Sequence, residues 1–165
     1  MSSRIIPVLP FDYLVFGATG DLARRKLIPA LYHRFRDTQI PTGARFIASS
    51  REEMTANEYR TFVRQALHDF VETEELDPAL VDRFLAMTDY VSIDAATDRG
   101  WSNLVTILRP DVVRAFYLAV SPQLVGLICE QLGHRGLATP ESRVVIEKPV
   151  GHDLASAQEV NDSIA

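Results

Sequence analysis

Two glycines three positions apart stand in the run Phe16, Gly17, Ala18, Thr19, Gly20, Asp21, Leu22, Ala23, directly after a short apolar segment and directly before a helical pattern. Glycine lets a backbone turn sharply and approach a ligand closely, and a helix N-terminus offers free N–H groups and the positive end of its dipole. Both properties suit a pyrophosphate. Ala23 takes the third position of a dinucleotide fingerprint, where a small residue keeps helix and strand in close contact. A Walker-type phosphate loop is excluded, because no Gly-Lys-Ser/Thr follows the turn. An ordinary strand-to-helix turn with Asp21 as its start residue would use the same residues.

A second candidate lies after the run Arg45 to Ser50. Adenosine ribose sites for NAD place an acidic residue at the end of the second strand, and those for NADP a basic one. Here Arg51 follows Ser50. A guanidinium grips a 2'-phosphate in a two-pronged hydrogen bond, so the residue leans toward NADP; a surface pairing with Glu52 or Glu53 is the alternative. The third candidate is a scarce residue type. Of 17 Lys and Arg residues only Lys26 and Lys148 are lysines. Lys26 lies just beyond the glycine turn, as a phosphate contact or a solvated helix residue. Lys148 follows the last strand in Glu147, Lys148, Pro149, Val150, Gly151, where the carboxyl ends of strands form the ligand crevice of an open α/β sheet. Pro149 restricts Lys148 toward an extended backbone, which aims its side chain.

These residues need a frame. Five short apolar runs recur: Tyr13 to Phe16, Arg45 to Ala48, Tyr90 to Ile93, Ala115 to Ala119 and Arg143 to Ile146. Between them lie helical patterns from Asp21 to Arg36, Ala56 to Val71, Ala79 to Met87, Trp101 to Leu108 and Gln123 to Leu132, with a last one opening near Asp153. Strands alternating with helices predict an α/β fold, a doubly wound, mostly parallel sheet with helices on both faces. In the second helix Tyr59, Phe62, Val63, Ala66, Leu67 and Phe70 recur at three- and four-residue spacing, the stripe of a helix lying on a sheet. Asp153 to Ala165 reads as a helix without a cap or a following element, which suggests a cut inside a longer protein.

Composition narrows the class. With 165 residues, 47% hydrophobic and 24% charged, the chain suits one globular domain. A net charge of -5 argues against nucleic acid as a partner. Cys129 is the single cysteine, so no intrachain disulfide forms; beside Leu127 and Ile128 it reads as a buried thiol of a reducing cytoplasm. No apolar stretch has the length of a membrane span or signal region.

Gly17-Ala-Thr-Gly-Asp-Leu-Ala-Arg-Arg-Lys-Leu-Ile-Pro-Ala-Leu31, Val145-Ile-Glu-Lys-Pro-Val-Gly151 and Arg114-Ala-Phe-Tyr-Leu-Ala119 resemble the N-terminal signatures of the glucose-6-phosphate dehydrogenases, in order and across essentially the whole chain. The resemblance implies a Rossmann-like NADP-binding domain of an enzyme that oxidises glucose 6-phosphate to the 6-phosphogluconolactone. It also implies that the Phe16 to Ala23 loop holds the pyrophosphate, Arg51 the 2'-phosphate, and Asp94 and Ala95 the adenine side. Tyr117 would lie along the cofactor, Lys148 would bridge cofactor and sugar, and the longer protein would be a cytoplasmic homo-oligomer.

Two departures qualify it. Ser121-Pro122 stands where the family has a double proline, and none of His33, His68, His134 or His152 stands in the family's catalytic histidine motif. The isolated chain is therefore expected to lack the catalytic base and the second domain. A short-chain reductase shares a similar glycine turn but needs Tyr-x-x-x-Lys, which is missing. A free-standing NADP-binding regulatory module is the alternative from another class.

Overall fold

The computed structural model describes residues 9–147, an open five-stranded sheet. Its strands are β1 (Phe11–Phe16), β2 (Arg45–Ser50), β3 (Thr88–Ser92), β4 (Val113–Leu118) and β5 (Arg143–Ile146), all parallel in the order β3-β2-β1-β4-β5. Between β1 and β4 the chain changes its direction of travel across the sheet, and in open α/β sheets ligands bind outside the carboxyl ends of the strands at such a point.

Helices α1 (Ile28–Arg36), α2 (Ala56–Phe70) and α3 (Pro78–Ala86) cover one face, and α4 (Trp101–Ile107) and α5 (Pro122–His134) the other. Strand side chains alternate between the two cores. Val15, Phe46, Ala48 and Tyr90 meet Tyr32, Tyr59, Val63, Leu67 and Phe84, while Leu14, Phe16, Ile47 and Phe116 meet Trp101, Leu104, Val125 and Ile128. Each large apolar side chain buried this way contributes about 1.5–3 kcal/mol, so both faces must be covered and the central strands read as unbroken apolar runs.

The helix starts are written locally. Thr55 and Glu58 form a reciprocal capping box at α2, and Asp77 accepts from the Ala79 and Leu80 N–H groups at α3, where Pro78 takes the first turn. The expected strands and helices are present among the described residues with ends shifted by one or two positions. β1 begins at Phe11, two residues early, because Asp12 is a buried strand residue despite its charge. Helix Asp21–Arg36 is not one regular helix. Residues Ala23–Leu27 form a π-turn in which the Ile28 N–H donates to the Ala23 carbonyl, five residues back. Pro29 follows at once and has no N–H to continue the ordinary ladder, so the wider turn absorbs the mismatch. Cys129 is half-buried on α5 rather than buried, and its surroundings raise the thiol pKa. The pattern opening near Asp153 lies outside the described residues.

Candidate functional site

At the carboxyl ends of β1, β2, β3 and β4 lies a cleft of about 550 Å³, of small-molecule size. Phe16, Gly17, Thr19 and Gly20 line one side, Ser49, Ser50, Arg51 and Glu52 a second, Asp94, Ala95 and Ala96 a third, and Ala119, Val120 and Ser121 the last.

Gly17 makes the turn possible. Its φ is 80°, and a Cβ there would fall 2.1 Å from the Ala119 carbonyl oxygen. The β1 end is held by Ser49, whose carbonyl accepts from both Gly17 and Ala18 N–H at 3.0 Å, and by the Phe16 carbonyl, which accepts from Ala119 N–H at 2.9 Å. Gly20 N–H folds back to the Gly17 carbonyl at 3.1 Å and the Gly20 carbonyl accepts from Arg24 N–H. The N–H groups of Thr19, Asp21, Leu22 and Ala23 then have no acceptor among the described residues. Four unspent donors at a helix start are able to receive an anion.

Asp21 does not cap this helix among the described residues. Its carboxylate accepts from Arg25 Nε at 2.6 Å, one turn on and exposed, so the first-turn donors stay open. Ala18 is fully buried, and its carbonyl accepts from the hydroxyl of Tyr59 on α2 at 2.9 Å. Burial raises the pKa of Tyr59, which keeps the phenol a donor. Ala23 is buried against the sheet, as close helix–strand packing requires.

Arg51 lines the cleft, exposed, and among the described residues has no ion pair. Neither neighbouring carboxylate holds it. Glu52 accepts from the Thr19 hydroxyl at 2.8 Å, and Glu53 lies 3.6 Å from Arg99. Arg99 also donates to the Arg51 carbonyl and the Ser92 hydroxyl, both at 2.8 Å, and so ties the loop after β3 to the turn after β2. Asp94 shapes that loop: its carboxylate accepts from Ala96 N–H at 3.0 Å, its own N–H donates to the Arg99 carbonyl, and Ala95 packs on the α4–α5 core.

Tyr117 lies elsewhere. It is buried on the α1–α2 face beside Tyr13, outside the cleft lining, and its hydroxyl donates to Glu147. Burial, then the hydrogen bond to Glu147 and its charge, raise the Tyr117 pKa. Lys148 lies outside the described residues. Lys26 sits in the π-turn. Ser49, Tyr59 and Arg99, which position or line the cleft, are not distinguishable in the sequence from strand, surface and scaffold residues; Glu52 carries a signal, as an acid beside Arg51.

The cradle that a Cβ would fill, together with the four open N–H groups and the fully buried Ser49 hydroxyl, which have no partner among the described residues, fits an elongated ligand with a phosphate at the turn. Fold and cleft together define a dinucleotide-binding domain of the doubly wound type. The chain belongs to the family described as glucose-6-phosphate dehydrogenase, NAD binding domain, whose model matches residues 14–165. It is 48% identical over 166 residues to glucose-6-phosphate 1-dehydrogenase of Rhizobium meliloti (strain 1021), covering 99% of this chain and 34% of that protein. The crystal structure of glucose-6-phosphate 1-dehydrogenase from Mycobacterium avium superposes with a TM-score of 0.86 at 31% identity, over 94% of this chain and 33% of the other. A glucose-6-phosphate dehydrogenase in complex with glucose 6-phosphate superposes with a TM-score of 0.83 at 30% identity, over 94% and 34%. The chain thus spans about a third of the length of the relatives it matches. The cofactor class is a nicotinamide dinucleotide. Among the described residues no helix is long and apolar enough to cross a membrane.

Proposed function

We propose that this chain binds NADP across the cleft as the cofactor half of a glucose 6-phosphate-oxidising enzyme. The observation that carries the reading is Arg51, without an ion pair among the described residues, on the same cleft as the open N–H groups of the glycine turn. The donors of Thr19, Asp21, Leu22 and Ala23 hold the pyrophosphate, Arg51 takes the 2'-phosphate, and Asp94 and Ala95 flank the adenine. The cofactor supplies a hydride acceptor. Lys148, next to Glu147, is proposed to serve both cofactor and sugar, and Tyr117 to steady that segment through Glu147. Glucose 6-phosphate, a homo-oligomeric state and a cytoplasmic setting belong to the same proposal for the longer protein.

Calorimetric titration of the 165-residue chain with NADP and NAD tests the cofactor reading. NADP is expected to bind more tightly. Arg51→Ala is expected to lower NADP affinity by about 1.5–3 kcal/mol, the worth of a charge-assisted hydrogen bond, and to leave the melting temperature unchanged. Equal affinities of the unmutated chain for both dinucleotides would reject the NADP reading.

A further inference from the structure

The cleft holds a carboxylate that the NADP reading leaves unused. Glu52 follows Arg51, and both line the cleft. Its backbone is fixed twice: its N–H donates to the Ser50 hydroxyl at 3.2 Å and its carbonyl accepts from the Tyr90 hydroxyl. From this anchor its side chain reaches the glycine turn, where Oε1 accepts from the Thr19 hydroxyl at 2.8 Å. The bond joins the turn after β2, where the ribose belongs, to the turn after β1, where the phosphates belong. A negative charge therefore stands at the corner that a 2'-phosphate would enter.

Glu52 and Arg51 bear oppositely on the 2' position. A carboxylate accepts from a ribose 2'-hydroxyl and repels a 2'-phosphate dianion; a guanidinium attracts the phosphate and gains little from the hydroxyl. The Thr19–Glu52 bond leaves the second carboxylate oxygen free for a hydroxyl, whereas a phosphate seated on Arg51 meets the repulsion of the neighbouring carboxylate.

We propose that Glu52 is a second specificity-determining residue, which opposes Arg51, holds down the preference for NADP and keeps NAD an acceptable ligand. The proposal rests on the dinucleotide reading of the cleft. It places Arg51 and Glu52 as an opposed pair in which neither charge alone sets the ratio of affinities.

The experiment measures dissociation constants of the 165-residue chain and its Glu52→Gln, Arg51→Ala and Thr19→Val variants for NADP and NAD. Adenosine 2',5'-bisphosphate and adenosine 5'-phosphate serve as probes of the same corner without the nicotinamide. Glu52→Gln keeps the size and removes the charge. It is expected to tighten NADP and the 2',5'-bisphosphate about tenfold, the effect of one like charge at a few ångströms in a partly solvated site, and to weaken NAD. Arg51→Ala is expected to move the ratio the other way. If Glu52 only clips the two turns together, Glu52→Gln and Thr19→Val shift all four ligands equally, and an unchanged ratio of NADP to NAD affinity overturns the proposal. A ratio unmoved by Arg51→Ala would instead reject the role of Arg51 in the cofactor reading, and failure of the unmutated chain to bind any of the four ligands would reject the cleft reading and the Glu52 proposal with it.

Discussion

Asp12 and Ser49 are both fully buried polar residues on neighbouring strands, one near the amino end of the sheet and one near the carboxyl end. Asp12 is saturated. It accepts from Arg45 Nε and Nη2, both at 3.0 Å, and from Arg109 through its backbone N–H at 2.9 Å, Nε at 3.0 Å and Nη2 at 2.8 Å. The arginines place further donors on the Ile107, Phe11 and Gly43 carbonyls, and Arg114 closes the network through the Arg109 and Leu137 carbonyls, its Nε being without a partner among the described residues. At the other end, among the described residues, the Ser49 hydroxyl has no partner, Arg51 has no ion pair, and the first turn after Gly20 keeps its N–H groups open. Charges at the amino end satisfy one another and hold the sheet; at the carboxyl end the backbone presents groups that the described residues leave unpaired.

The comparison breaks most sharply at Asp12. Removing one member of a buried charge network costs about 3–5 kcal/mol, so Asp12→Ala should lower the melting temperature by roughly 10 °C, read by calorimetry. Burial raises the Asp12 pKa, but the hydrogen bonds from Arg45 and Arg109 outweigh it and leave the group below its ordinary value of 3.8. A carboxyl depressed in the folded state contributes its stability in full above the unfolded pKa, and that contribution is lost as pH falls through the folded value. Acid unfolding of Asp12→Asn should therefore be less steep than that of the unmutated chain below about pH 4.

Gly17→Ala comes next. A left-handed backbone at a non-glycine residue costs roughly 1–2 kcal/mol, and the Cβ contact with the Ala119 carbonyl adds to it. Loss of dinucleotide binding with a smaller drop in melting temperature than Asp12→Ala is expected; unaltered binding would show that the turn does not cradle the ligand. The smallest effect has the opposite sign. Ser49→Ala removes a buried hydroxyl without a partner, and stability should stay level or rise by up to about 1 kcal/mol. A loss of about 2 kcal/mol or more would mean that the hydroxyl is satisfied, and that the two ends of the sheet are alike in pairing their buried polar groups.

Alternation of apolar runs and helical patterns was readable because strands covered on both faces lack polar interruption, and because caps such as Thr55 with Glu58 and Asp77 with Pro78 act within four residues. The glycine turn and Arg51 were readable for the same reason: backbone freedom and strand-end position are local properties. The π-turn was not, since Pro29 inside a helical pattern predicts an interruption without saying whether the chain kinks or widens.

What the sequence determined by itself was therefore the order of elements, and the glycine turn and Arg51 that line the cleft at the strand ends. Only the tertiary structure decided the partners. Asp12 meets Arg109 across 97 positions, Tyr59 reaches the Ala18 carbonyl across 41, and Thr19 meets Glu52 across 33. No pattern of neighbours specifies such pairs. They exist because parallel strands joined by helical crossovers bring distant strand ends side by side, and each buried donor or acceptor then takes whatever group that juxtaposition supplies.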